Sequence, residues 1–258
     1  MTVLVKYKKQ NKKNNEEWIK RMEAKEIDWA YWGGWFDSDG SFYTQTLSAM
    51  FKNKCKTQKR YAQLELKDRE PVELFSKTFE TSLLYCEKNT TTPNGAKYRA
   101  KLFISVLRNE RAHWFAEKIQ KYIFNKKDYV KTLIENLDSK YDPGEQNITA
   151  KEFVPYLTSL LEGDGSYAKV DDKTTVANLY SGNLNFLNWV KDTAFKLNVV
   201  NFSIPYVGRR NLSNNPNYCI KINCYKNDTA KSFLNQSIPF MNIDRKKQRA
   251  ISKLNFLN

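Results

Sequence analysis

Two aspartates at equivalent places in a repeated segment are the residues of this chain best suited to chemistry. Asp39 lies in WGGWFDSDGSF and Asp164 lies in LTSLLEGDGSY, 125 residues further along. A single acid-x-Asp-Gly segment after apolar residues is also an ordinary helix-to-strand turn, in which glycine supplies the unusual backbone angles. Two copies can pack their helices together, which brings both carboxylates side by side. Such a pair has the geometry of a two-metal site.

Two divalent ions held by carboxylates can activate a water and stabilise a leaving oxygen, which is what an in-line cleavage such as that of a phosphodiester bond needs. Oxygen ligands with open water positions favour Mg²⁺, with Mn²⁺ or Ca²⁺ as substitutes in binding. The Asp37-Ser38-Asp39-Gly40 turn also matches the opening of a calcium-binding loop. That loop would need its closing glutamate at Ser48, which excludes this alternative.

The two segments resemble the nine-residue motif of the LAGLIDADG homing endonucleases, in the single-chain form that carries two copies. Trp32 to Gly40 and Leu157 to Gly165 fill every motif position, although Trp32 and Trp35 replace the usual aliphatic residues. The resemblance extends over residues 27 to 250, and the two motifs are its specific part. Small side chains are kept where the two helices must approach closely. The predicted helix interface consists of Gly33, Gly34, Thr158 and Ser159.

The resemblance implies which motif residues bind the metal. The aspartate before the final glycine, here Asp39 or Asp164, is the expected ligand, and the preceding carbonyl of Ser38 or Gly163 assists it. Two further acids match each other two positions earlier in the motifs and are expected to end the helices structurally. They are Asp37 and Glu162.

The resemblance also implies a lysine near the scissile phosphates, between the second hairpin and the closing helix of each half. Lys127 and Lys247 are the first choices, with a role in charge stabilisation or water positioning. The preceding residues, Lys126 and Lys246, complete the catalytic set. The alternative is that these lysines are only solvated. A polar family position at the end of the first hairpin is Leu66 here, and Lys67 is its candidate substitute.

Composition predicts a polyanionic partner. Forty-three Lys and Arg against 28 Asp and Glu give the 258-residue chain a formal charge of +15, with a pI near 9.5. Such a charge indicates nucleic acid, although a charge run can also be a solvated face. No stretch reaches the roughly 18 to 20 apolar residues of a membrane span. The first residues lack a signal-peptide core, so we expect an intracellular protein, encoded by a phage, bacterial or organellar genome.

Cysteine and histidine usage disfavours zinc and histidine-dependent chemistry. Cys55, Cys86, Cys219 and Cys224 show no Cys-x-x-Cys spacing, and His113 is the only histidine. A structural zinc site therefore has too few well-spaced ligands, and reduced, buried thiols are expected. Carboxylates remain as the metal ligands.

The order of apolar runs and turns predicts an α+β fold of two pseudo-symmetric αββαββα halves. Their motif helices would pack together, and their antiparallel sheets would form a DNA-binding saddle. The expected divisions are a basic extension (1–26), a first half (27–138), a linker (139–147) and a second half (148–258). The first 14 residues are expected to be a mobile arm, followed by a short helix over 15–25. Thr149 and Glu152 predict a capping box, although Pro155 indicates a later helix start.

Outward side chains of the sheet strands are the expected DNA contacts, because a β-ribbon fits the major groove. Some would touch only phosphates, and polar alternation is also typical of any solvated strand face. The candidates in the first half are Ser41, Tyr43, Gln45, Lys59, Tyr61, Gln63, Lys67, Lys97, Arg99 and Lys101. Those in the second half are Ser166, Lys169, Arg209, Arg210, Lys221 and Asn223, with the two arginines in a polar loop over 208–217.

The resemblance implies a monomeric, sequence-specific endonuclease that cuts both strands of a long asymmetric DNA target with Mg²⁺ and leaves short 3′ overhangs. Its family role would be to spread the intron or other element that encodes it. Two alternatives keep the fold: an RNA maturase that binds intron RNA, and a non-catalytic DNA-binding regulator. Retention of both Asp39 and Asp164 disfavours the regulator.

Overall fold

A helix, two strands, a helix and two more strands occur in the same order in each half of the chain. The computed structural model describes residues 2–47, 57–91, 97–135, 141–142, 147–169, 172–210, 216–224 and 227–257. After α1 (Thr2–Glu23), the first half contains α2 (Trp29–Ser38), β1 (Gly40–Leu47), β2 (Thr57–Leu66), α3 (Arg69–Thr78), β3 (Leu83–Thr91), β4 (Lys97–Arg108), α4 (Glu110–Ile119), a 3₁₀ turn (Gln120–Tyr122) and α5 (Lys127–Glu135).

The second half repeats this order. It contains α6 (Ala150–Gly163), β5 (Gly165–Tyr167), β6 (Thr175–Ser181), α7 (Leu184–Lys196), β7 (Tyr206–Arg210), β8 (Pro216–Asn223), α8 (Asn227–Ser237), a 3₁₀ turn (Ile238–Phe240) and α9 (Asp244–Leu257). The sheets have the matching antiparallel orders β1-β2-β4-β3 and β5-β6-β8-β7. The predicted α+β fold of two αββαββα units is confirmed.

Each sheet is apolar on the face that its helices cover. On β2 the side chains of Ala62 and Leu64 are fully buried. Tyr61 and Gln63, which alternate with them, are partly exposed. This period of two is the pattern of a sheet with one packed face and one open face. Each half has its own apolar core, and α2 and α6 pack against each other between the two cores.

The capping box predicts the start of α6 correctly. The Thr149 side chain accepts a hydrogen bond from the Glu152 N–H, and the Glu152 side chain accepts one from the Thr149 N–H. The later start inferred from Pro155 is wrong, because α6 begins at Ala150 and contains this proline. Proline removes one backbone hydrogen bond of the helix. The cap and the burial of Phe153 and Tyr156 offset that loss.

Helix α1 differs from the predicted mobile arm and short helix. It runs without interruption from Thr2 to Glu23, and its C-terminal part packs on the first half. Trp18 is fully buried, donates its indole N–H to Phe79 O at 2.9 Å, and makes an edge contact with Trp114 at 5.2 Å between centroids. An aromatic anchor of this kind holds the helix to the domain.

Strand β7 also differs from the predicted polar loop over residues 208–217. Val207 pairs with Tyr218, a bulge follows, and Arg209 then pairs with Asn217. The two arginine positions therefore belong to the edge of the second sheet. Separately, no helix among the described residues is both long and apolar enough to cross a bilayer.

Candidate active site and nucleic-acid interface

Small residues let the two motif helices approach closely. A Cβ at Gly34 would lie 2.2 Å from Tyr156 O and 2.2 Å from Ser159 Oγ, so no larger residue fits there without moving α6. Gly33 was also predicted at this interface, but it faces the 3₁₀ turn, where its Cβ would lie 2.5 Å from Tyr122 Cβ. The hydroxyl of the buried Thr158 donates to Val154 O of its own helix.

The same close approach brings the two Asp-Gly turns together, Asp39-Gly40 and Asp164-Gly165. Asp39 and Asp164 each follow the last residue of a motif helix, and each donates its N–H to the carbonyl four residues earlier. A Cβ at Gly163 would lie 2.2 Å from Ser38 Oγ and 2.8 Å from Asp39 Oδ2. The carboxylate of one motif therefore lies against the turn of the other.

The electrostatics of this carboxylate pair suit a cation. Burial and then the neighbouring Asp39 raise the pKa of Asp164 to about 7, while Lys126 and Lys246 oppose that rise. Burial also raises the pKa of Asp39. Two half-buried carboxylates that repel each other form the hard oxygen donor set that Mg²⁺ prefers. Among the described residues, no cluster of three or more acidic, His or Cys side chains with metal-ligand geometry occurs.

One lysine from each half reaches the turn of its own motif. Lys126 Nζ donates to Ser38 O and, at 2.7 Å, to Gly40 O. Lys246 Nζ makes the equivalent contacts with Gly163 O at 3.5 Å and Gly165 O at 2.9 Å. Burial lowers the pKa of Lys126, and burial together with Arg245 lowers the pKa of Lys246 to about 8.

The preferred lysines of the sequence analysis do not make these contacts. Lys127 is exposed, with its Nζ 5.7 Å from the centroid of the Phe124 ring. Lys247 Nζ donates to Met241 O at 3.4 Å. Lys126 and Lys246, one residue earlier in each half, lie at the carboxylate turns instead. Their predicted catalytic role stays a prediction.

The first acid of each motif binds the segment that carries the lysine. Asp37 is fully buried and accepts the N–H groups of Phe124 at 2.7 Å and Lys126 at 3.0 Å. Glu162 accepts those of Asn242 at 2.9 Å and Ile243 at 2.7 Å. Both acids were expected only to end their helices. Their contacts instead join each motif to a chain segment at least 80 residues away.

A cleft of about 320 Å³ opens beside Asp39. Sequence analysis did not identify two of its ion-pair residues, Arg245 and Asp68, which belong to different halves and lie 2.7 Å apart. Leu66 and Lys67 also line the cleft. Leu66 is largely buried and Lys67 is exposed, so Lys67 offers a charge where the leucine has none.

Six of the predicted DNA contacts form three cross-strand pairs on the open face of the first sheet. The pairs are Ser41 with Gln63, Tyr43 with Tyr61, and Gln45 with Lys59. The tyrosine rings stack with centroids 4.7 Å apart, and the Tyr43 hydroxyl donates to Gln63 Oε1 at 2.8 Å. The face therefore presents an ordered set of hydrogen-bonding groups.

Three charged residues on this face were not among the candidates. Glu65 accepts Gln63 Nε2 at 2.8 Å and also pairs with Lys88, and Arg108 stands opposite Tyr61 on β4. The signal that could have found them is the strand register, which follows from the pairing of β2 with β4.

The three candidates on β4 lie on the opposite face. The register pairs Leu64 with Ser105, and both side chains are fully buried, so odd-numbered β4 residues belong to the helix side. Alternation continues this face outward along the strand through Lys101, Arg99 and Lys97. All three are exposed, and Arg99 Nη1 lies 3.7 Å from Glu87. They therefore lie on the other face from Tyr43, and their contact with DNA stays a prediction.

The open face of the second sheet is smaller and contains two of the predicted residues, Ser166 and Lys221. Ser166 pairs with Asn178, which pairs in turn with Lys221. Lys221 Nζ lies 5.0 Å from the centroid of the Tyr206 ring. Asn178 and Tyr206 were not identified from the sequence. The other candidates take the following positions: Asn223 at the end of β8, Lys169 exposed after β5, and Arg209 and Arg210 at the end of β7.

Comparison with known proteins connects this geometry to a fold. No protein-family model and no curated protein matches the sequence. The structure of the LAGLIDADG homing endonuclease I-GzeII in complex with its DNA target is 12% identical, with a TM-score of 0.51 over 88% of this chain and 89% of that chain. The I-SmaMI LAGLIDADG homing endonuclease bound to cleaved DNA is 13% identical, with a TM-score of 0.53 over 88% and 87%. The chain has the two-motif, single-chain LAGLIDADG fold.

Proposed function

We propose that this chain is a sequence-specific double-strand DNA endonuclease that acts as a monomer on a long asymmetric target. The observation that carries the proposal is the pair Asp39 and Asp164, held against each other at the junction of α2 and α6. Both structures with a similar fold contain DNA. Fold alone does not imply activity, so the retained carboxylates are the argument for cleavage.

Different residues of the chain would act on the reacting groups and bind the rest of the duplex. Divalent ions, with Mg²⁺ as the expected cofactor, would activate the attacking water and stabilise the leaving oxygen between Asp39 and Asp164. Lys126 and Lys246 add positive charge on either side of the carboxylates and hold both turns through their carbonyls. Charge fixed in this way favours a phosphate, which develops negative charge during hydrolysis.

The open sheet faces would bind DNA on both sides of this centre. The side-chain amides of Gln45, Gln63 and Asn178 offer donors and acceptors for base edges in the major groove. The surrounding lysines and arginines would bind phosphates, which sets the register of the protein on the duplex. The two faces differ in their residues, which suits a target whose halves differ. The position of the two cuts, with short 3′ overhangs, belongs to the same proposal.

The test is cleavage of a randomised duplex library by the purified protein with Mg²⁺ or with EDTA, followed by sequencing of the cut ends. We expect metal-dependent cuts within one long sequence. Asp39→Asn and Asp164→Asn should each abolish cleavage of that sequence and keep DNA binding, because they remove a metal ligand and not a sheet contact. Normal cutting by either variant would contradict the proposed site.

A library without enriched cuts would overturn the endonuclease proposal. Salt-sensitive binding to structured RNA in that case would favour the maturase alternative, and binding to duplex DNA alone would favour a regulator. The monomer is tested by light scattering at rising protein concentration, where we expect no association because one chain already contains both motifs.

A further inference from the structure

One tyrosine from each motif helix reaches the lysine segment of the opposite half. Tyr31 on α2 and Tyr156 on α6 occupy equivalent places, with the same 125-residue spacing as the two aspartates and six positions before Asp37 and Glu162. Both side chains are at least 95% buried. Neither belongs to the metal ligands or to the sheet faces.

The first of these contacts between the halves is a direct hydrogen bond. The Tyr156 hydroxyl of the second half donates to Asp37 Oδ2 of the first half at 2.7 Å. Asp37 also accepts the N–H groups of Phe124, Asn125 and Lys126 at 2.7 to 3.0 Å. The tyrosine therefore supports the carboxylate that fixes the backbone of Lys126. A hydrogen bond to a buried ionised carboxylate is stronger than one between neutral groups.

The second contact between the halves is indirect and involves the side chain of Asn242. Asn242 Nδ2 of the second half donates to the Tyr31 hydroxyl of the first half at 2.6 Å. The backbone N–H of the same asparagine donates to Glu162, and the Lys246 N–H donates to Ile243 O at 2.9 Å. Tyr31 thus fixes the turn from which Lys246 extends.

We infer that Tyr156 and Tyr31 are positioning residues that each place the lysine of the opposite half. This inference rests on the proposed function. Its consequence is that the reaction at the Lys126 side depends on a residue of the second half, and the reaction at the Lys246 side on a residue of the first. Because Tyr156 contacts the carboxylate itself and Tyr31 acts through an asparagine, loss of the Tyr156 hydroxyl should have the larger effect.

The experiment follows both strands of an end-labelled target duplex separately. Tyr156→Phe keeps the ring and removes the hydroxyl, and it should slow cutting of the strand that Lys126→Met slows, by about tenfold or more, since small misplacement of a catalytic group is costly. The other strand should be cut near the wild-type rate, so nicked duplex accumulates. Tyr31→Phe should slow the strand that Lys246→Met slows.

A second measurement needs no cleavage. Amide hydrogen exchange of residues 124–126 should become faster in Tyr156→Phe, while residues 242–246 stay as protected as in the wild type. Tyr122→Phe is the matched control, because the Tyr122 hydroxyl also donates to a carboxylate of the other half, Glu152 at 2.6 Å, away from either lysine. It should produce no strand bias.

Equal slowing of both strands by Tyr156→Phe, or wild-type rates on both with unchanged exchange, would overturn the positioning role. If the wild-type protein cuts no DNA, the proposed function fails, and the exchange experiment still decides whether the tyrosine holds the lysine segment. Faster exchange confined to residues 124–126 supports the inference in that case.

Discussion

At the scale of single residues, two adjacent lysines have different surroundings. The side chain of Lys126 turns inward to two carbonyls of the first motif, whereas that of Lys127 extends outward beside Phe124. The second half repeats the difference, with Lys246 94% buried and Lys247 more exposed. Burying an ammonium group is costly unless hydrogen-bond acceptors surround it. Here the carbonyls of the two Asp-Gly turns supply those acceptors.

This difference predicts which lysines affect turnover. Lys126→Met and Lys246→Met should lower the cleavage rate at saturating DNA by about 10²-fold or more, because charge near the scissile phosphates is lost. Lys127→Met and Lys247→Met are matched controls that lose the same charge one position away, and they should keep rates within about threefold of wild type, a change of less than 1 kcal/mol. Single-turnover kinetics measure the rates. If only Lys127→Met and Lys247→Met cut more slowly, the catalytic lysines would be Lys127 and Lys247.

At the scale of secondary-structure elements, the close packing of α2 on α6 depends on Gly34 as well as on Gly163 at the helix end. A Cβ at position 34 would meet backbone and side-chain atoms of α6 at 2.2 Å. The backbone oxygen of Tyr156 cannot rotate away, so the helices themselves would have to separate.

Gly34→Ala should therefore destabilise the protein by about 1–3 kcal/mol, the usual cost of overpacking. Gly182→Ala is the matched control, because no atom lies within 4 Å of the added Cβ. Urea unfolding monitored by tryptophan fluorescence measures both. Unchanged stability of Gly34→Ala would mean that α2 and α6 do not meet at this residue.

A second connection between the halves lies at the start of α6. Glu152 accepts hydrogen bonds from the Tyr122 hydroxyl at 2.6 Å and from Lys121 Nζ at 3.0 Å, and it also closes the capping box. Burial alone would raise the pKa of Glu152, but these hydrogen bonds outweigh burial and lower the pKa to about 2.

The sign of this shift predicts a dependence of stability on pH. Because the folded pKa lies below the unfolded value of 4.5, the stabilisation is complete above about pH 4.5 and is lost as the pH falls toward 2. Glu152→Gln should lower the free energy of unfolding by about 1 kcal/mol at neutral pH, with a smaller difference near pH 3. Urea titrations at both pH values test this. An equal difference at both would show that the charge of Glu152 contributes nothing.

At the scale of the whole molecule, the net charge of +15 is combined with two polar sheet faces and a central pair of acids. The positive charge attracts a polyanion over long distances, while the carboxylates repel it locally unless cations are present. Binding and cleavage should therefore respond differently to ions.

Binding to the target duplex should weaken steeply with monovalent salt, with a slope of log affinity against log salt of about −5 to −10, as expected when several phosphates are contacted. Fluorescence anisotropy in Ca²⁺ or EDTA measures the slope without cleavage. A duplex of unrelated sequence is the control. Its affinity should be lower and should fall with salt at a similar slope. A slope near zero would contradict the polyanion assignment.

The sequence by itself determined the features that local patterns encode. The repeated motif placed both aspartates at helix ends, because a helix and the turn that follows it are set by neighbouring residues. Alternation in β1 and β2 also gave the correct open face at Tyr43 and Tyr61, since their hairpin pairs them directly. The capping box at Thr149 is local in the same way.

Tertiary structure alone decided the contacts between distant segments. The side of the sheet on which Lys101 lies depends on the register of β4 against β2 and β3, and a period-two pattern cannot specify its face without that register. Which of two adjacent lysines turns inward depends on Asp37, 89 residues before Lys126. The support of Asp37 by Tyr156 spans 119 residues and both halves. The contact between Tyr156 and Asp37 exists only because α2 and α6 pack together, which also brings the ends of both motifs into one site.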